Sequence, residues 1–125
     1  MDKQKILTFI KELSDIPGPP GFEDEVLPLI RRYGEGLGEW DEDTMRNLCL
    51  RRQGWKEGRP VLMLDAHSDE VGFMVRAIRA NGTMDFIPLG GWVASNLSAH
   101  RVLVRNERGQ WLPGIIASIP PHYLS

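Results

Sequence analysis

Residues 64–75, LDAHSDEVGFMV, set one histidine and three carboxylates between two apolar runs. The run on the left begins at Val61, and the spacing predicts a buried strand from Val61 to Ala66; the run on the right, Val71 to Val75, predicts a second strand. Asp65, His67, Asp69 and Glu70 are therefore expected where a strand leaves a hydrophobic interior, the place where α/β proteins put their sites. Asp65, His67 and Asp69 alternate along extended backbone and so share one face. Imidazole and carboxylate are ligands that zinc and cobalt accept, and a carboxylate two residues from a ligand histidine can hold its ring. Spacing alone leaves a plainer alternative open, a solvated strand end.

Outward from this stretch the chain changes texture. Ile6, Phe9, Ile10 and Leu13 follow the helical i, i+3, i+4, i+7 spacing, which predicts an amphipathic helix ending near Asp15. Ile16-Pro17-Gly18-Pro19-Pro20-Gly21 cannot continue it. Val26, Leu29, Ile30, Tyr33 and Leu37 repeat the spacing after acidic Glu23, Asp24 and Glu25. Pro28 lies inside that pattern, so the helix either starts just before it or is kinked there. Beyond Gly38, strands are predicted at Trp40 to Asp43 and Asn47 to Arg52. Asn81-Gly82 marks a hairpin between Val71 to Ala80 and Thr83 to Leu89, and Glu107-Arg108-Gly109 a second between His100 to Asn106 and Trp111 to Ala117. The expectation is an α/β layer over 1–70, followed by a separate small β domain over 71–125.

The totals are those of a soluble globular domain: 125 residues, 42% hydrophobic, 26% charged, formal charge −2. Fifteen basic against seventeen acidic residues give no ground for nucleic-acid binding. The opening MDKQKILTFIKELSD reads as neither signal peptide nor membrane span. Cys49 is the only cysteine, which points to a cytoplasmic home and to a small buried residue within a strand.

Four ordered motifs carry a resemblance. Ala66 to Val75 resembles the first metal-binding motif of the glutamyl aminopeptidase family, the TET-type dinuclear metallopeptidases. Ser14 to Glu23 is similar to that family's early loop, Pro88-Leu89-Gly90-Gly91-Trp92 to a Gly-Gly turn of its inserted domain, and Gly114 to His122 to its Ser-x-Pro-Pro-His segment. The resemblance implies an α/β metallopeptidase catalytic domain and part of an inserted PDZ-like β-barrel domain. It also implies a cytoplasmic enzyme acting on peptides with two divalent metals, zinc or cobalt, and assembling as dimers up to dodecamers. By position, His67 is similar to a metal ligand. Asp69 is similar to the catalytic-site carboxylate beside it, whose task is to orient that histidine. Some relatives carry endoglucanase or cellulase labels, but no two-carboxylate glycosidase arrangement is evident.

The same resemblance implies that the other metal ligands and the glutamate base lie further along than Ser125. One histidine cannot hold two metals, so the chain by itself is expected to bind none and to be inactive. Two non-catalytic readings stand beside it: peptide capture by strand addition to the β domain, and an assembly element. Glu70 has two readings, facing the metals or capping the hinge into the β domain. Ser68 has no partner base. His100 reads as a surface or interface residue, His122 as structural, and Trp92 and Trp111 as barrel core or interface anchors.

Overall fold

The computed structural model describes residues 2 to 118, with two helices, six strands and a short 3-10 turn. It divides into two compact units, Met1–Leu89 and Gly90–Ser125. The α/β class expected from the sequence holds, with helices beside small sheets.

In the first unit, α1 (Lys3–Asp15) is capped by Asp2, whose carboxylate accepts the Gln4 N–H at 3.0 Å. α2 (Val26–Tyr33) carries Pro28 in its first turn, where a missing N–H costs nothing, so the helix starts two residues before it. Val26, Leu27 and Leu29 of α2 are the buried apolar residues of this unit among those described. α1 meets α2 through the Phe9 and Tyr33 rings, centroids 4.3 Å apart, and through the Glu12–Arg32 ion pair. The helix stops at Gly34, so Leu37, predicted to continue its spacing, lies beyond it and is exposed.

β1 (Gly38–Glu42) and β2 (Leu48–Arg52) form an antiparallel pair, and β3 (Gly72–Ile78) and β4 (Met84–Leu89) form another. Asp43 builds the first turn: its carboxylate accepts the N–H groups of Met45 and Asn47, each at 2.9 Å, and the Asn47 side-chain amide at 2.8 Å. Cys49 lies in β2 as expected but is exposed rather than buried. Strand alternation decides this, because Leu48 and Leu50 take the inward positions on either side of it. The Asn81-Gly82 hairpin forms as predicted, with a bulge between Val75 and Ala77. Phe73 and Phe86 pack edge to face across it, 4.7 Å between centroids.

The predicted buried strand from Val61 to Ala66 is not a strand. The segment pairs with no neighbour among the described residues, and Leu62, Met63 and Leu64 are 78–89% exposed. Its apolar composition demands burial, but no described element supplies the partner backbone on which a ladder depends.

In the second unit, β5 (Arg101–Arg105) pairs with β6 (Trp111–Ile115) around a turn held by Asn106. The Asn106 side-chain oxygen accepts the N–H groups of Arg108 and Gln110, each at 2.9 Å. Ile116 is buried just past β6 and donates its N–H to the His100 carbonyl.

Candidate metal centre

His67 and Asp69 lie on the connection that enters β3, and the structure brings them together. The His67 Nδ1 is 2.9 Å from the Asp69 backbone oxygen and 3.2 Å from the Asp69 carboxylate. Both neighbours are acceptors only, so this geometry assigns the ring proton to Nδ1 and leaves the Nε2 lone pair free. The His67 side chain is 85% exposed, so the ring stands open to solvent. This is the arrangement in which a second group fixes the tautomer of a metal-binding imidazole. Asp65, expected on the same face, joins neither contact.

The connection is held from the other side by the proline loop. The Gly18 N–H donates to the Glu70 carboxylate at 3.1 Å, and the Glu70 N–H donates back to the Gly18 carbonyl at 2.9 Å. Two glycines permit the approach. A Cβ on Gly18 would sit 2.5 Å from Val26 Cγ2, and one on Gly72 would sit 2.8 Å from Pro19 Cβ. Glu70 thus serves as a clasp to an early loop. Sequence reasoning left its role open because Gly18 lies fifty-two residues away. The available signal was the glycine set before two prolines, a rigid loop with one bare backbone position.

Among the described residues, no three His, Cys, Asp or Glu side chains converge closely enough to hold a metal ion. One oriented imidazole is therefore a fitting single ligand, but the described residues do not themselves fit a catalytic ion, which takes three protein ligands. Ser68 is exposed beside His67, and His100 is exposed in the second unit with its ring 6.3 Å from that of Trp92. Trp92 and Trp111 are half-exposed, and the Arg105 guanidinium lies over the Trp111 ring at 5.9 Å. His122 lies outside the described residues.

Comparison with known proteins decides the family. The model of the M42 glutamyl aminopeptidase family matches residues 46–125, a span that includes His67, Asp69 and Glu70. The chain belongs to the M42 glutamyl aminopeptidase family. The glutamyl aminopeptidase of Lactococcus lactis subsp. cremoris is 34% identical over 92% of this chain and 33% of its own length. The TET aminopeptidase of the marine sediment archaeon Thaumarchaeota archaeon SCGC AB-539-E09 superposes with a TM-score of 0.88 at 37% identity, covering 98% of this chain and 33% of that one. The TET1 peptidase of Pyrococcus horikoshii, which can assemble into a tetrahedron or a large octahedral shell, has a TM-score of 0.80 at 29% identity, over 94% of this chain and 34% of its own. The chain thus spans about a third of the length of these M42 relatives. Residues 1–45 lie outside the family match, but the Thaumarchaeota superposition takes in nearly all of them.

Proposed function

We propose that this chain is the amino-terminal portion of a metal-dependent M42 aminopeptidase that removes N-terminal residues from peptides. The observation that carries the reading is the His67–Asp69 pair, inside the family match, with Nδ1 held and Nε2 free. In this reading His67 is a metal ligand through Nε2, and Asp69 is the carboxylate that orients it. When bound, two divalent ions, zinc or cobalt, supply Lewis-acid polarisation of the scissile carbonyl and a lowered pKa for the attacking water. The described residues contribute one ligand, so the others and the general base are assigned to the part of the relatives with no counterpart here.

The same proposal places the seam between catalytic domain and inserted domain at residues 70 and 71, although contact density divides the chain later, at Leu89 and Gly90. The β hairpins after the seam would belong to a PDZ-like β-barrel. A homo-oligomer, from dimer to dodecamer, follows by analogy with the Pyrococcus horikoshii shell. A cytoplasmic location belongs to the proposal too; no helix among the described residues is long and apolar enough to cross a membrane.

Aminoacyl-p-nitroanilide hydrolysis with added zinc or cobalt tests the reading. The 125-residue polypeptide alone is expected to show no turnover, and a protein continuing it to the relatives' length is expected to show metal-dependent turnover. Metal-dependent cleavage by the 125-residue polypeptide, freed of contaminating peptidase, would overturn the assignment of the remaining ligands to other sequence.

A further inference from the structure

We infer that Glu70 is a positioning residue that sets the His67 ring for metal binding by clasping the proline loop; this rests on the reading of His67 as a ligand. Glu70 directly follows Asp69, whose backbone oxygen and carboxylate together receive the His67 Nδ1–H. Whatever fixes the backbone at residues 69 and 70 therefore fixes the imidazole. The fixing contact is two-point and reciprocal: Gly18 N–H to Glu70 Oε1 at 3.1 Å, and Glu70 N–H to the Gly18 carbonyl at 2.9 Å. Two bonds pointing in opposite directions hold a strand of backbone against both rotation and sliding, which one bond does not.

The far side of the clasp is itself rigid. Gly18 is buried against Val26 at the start of α2, and Pro17, Pro19 and Pro20 restrict the φ angles of the loop around it. Pro19 in turn sits so close to Gly72 that a Cβ there would fall at 2.8 Å. The His67 turn is thus held just after its last member, Asp69, by an element anchored in the core of the first unit. One oxygen of the Glu70 carboxylate, Oε1, is thereby turned toward the loop.

Glu70→Asp and Glu70→Gln separate this role from general stability. Aspartate is one methylene too short to reach the Gly18 N–H; glutamine keeps an oxygen acceptor at the same reach. In the 15N-labelled chain, long-range 1H–15N spectra read the His67 tautomer, and amide exchange reads the Gly18 bond. Wild type is expected to show His67 as the Nδ1–H tautomer with a protected Gly18 amide. Glu70→Asp should speed Gly18 exchange about tenfold, the worth of one lost hydrogen bond, and shift the His67 population toward the other tautomer. Glu70→Gln should restore both.

A Gly18 amide exchanging as an open loop in wild type would overturn the clasp, and that reading needs no variant to fold. An unmoved His67 tautomer in Glu70→Asp would overturn the coupling to the imidazole. Failure of the parent reading looks different. If zinc or cobalt added to the longer protein leaves the His67 Nε2 resonance in place while the tautomer still follows Glu70, the clasp stands and the ligand role falls.

Discussion

Two aspartates, exposed Asp43 and half-buried Asp85, show how single side chains set the hairpins of this chain. Hydrogen bonds from the Asn47 side chain and backbone and from Met45 hold the Asp43 carboxyl below its usual range. Asp85 is lowered as well, chiefly by its hydrogen bond from Arg79 across β3 and β4. A carboxylate with a lowered native pKa adds stability that is present above its unfolded value, near about 3.9. That contribution is lost as pH falls through the folded value. Acid titration followed by NMR should therefore show the Met45 and Asn47 amides and the β3–β4 turn moving only below the ordinary aspartate range. Added salt should bring the Asp85 transition closer to the ordinary value and leave Asp43 nearly unmoved, because Asp85 leans on a charge and Asp43 on neutral donors. Midpoints at the ordinary value in low salt would show these contacts to be absent. The core residue Leu27 makes the opposite case. It is 2% exposed, and Leu27→Ala is expected to cost about 2–3 kcal/mol in denaturant unfolding of the first unit. A loss near zero would mean that α2 is not the centre of that unit.

Elements were legible in the sequence to the extent that their partners are local. α1, α2 and the hairpins at Asn81-Gly82 and Glu107-Arg108-Gly109 follow from spacing and turn chemistry, because each hairpin closes over a few residues, whereas β1 and β2 were read as strands without their pairing. The His67–Asp69 pair was legible for the same reason, as an i, i+2 contact. The Glu70–Gly18 clasp was not, since no local rule joins residues fifty-two apart. The segment from Val61 to Ala66 shows the limit most clearly. Its composition says what it needs, a covered apolar strand, and cannot say which backbone covers it. Leu62 and Leu64 remain 86% and 89% exposed, and an unpaired apolar segment of that kind templates association. Sedimentation of the chain is expected to show self-association that weakens in the double variant Leu62→Lys, Leu64→Lys, with the hairpin signals unchanged. A clean monomer at high concentration in the wild-type chain would contradict this.

On the scale of the whole molecule, the chain has the family's form over a third of its relatives' length and, among the described residues, one oriented imidazole. Catalytic power in a dinuclear centre comes from convergence, and under the proposed function these residues would supply one arm of it. LDAHSDEVGFMV accordingly has two parts: a histidine with its ring set by Asp69, and the Glu70 clasp that ties the turn to the proline loop. The most direct test of this account is metal content, measured together with aminoacyl-p-nitroanilide turnover, in the longer protein before and after His67→Ala. Two divalent ions are expected in the wild type, with loss of metal in the variant and turnover lower by at least about a hundredfold, the upper range for losing even an outer partner of a metal ligand. Full metal content with unchanged turnover in His67→Ala would contradict it.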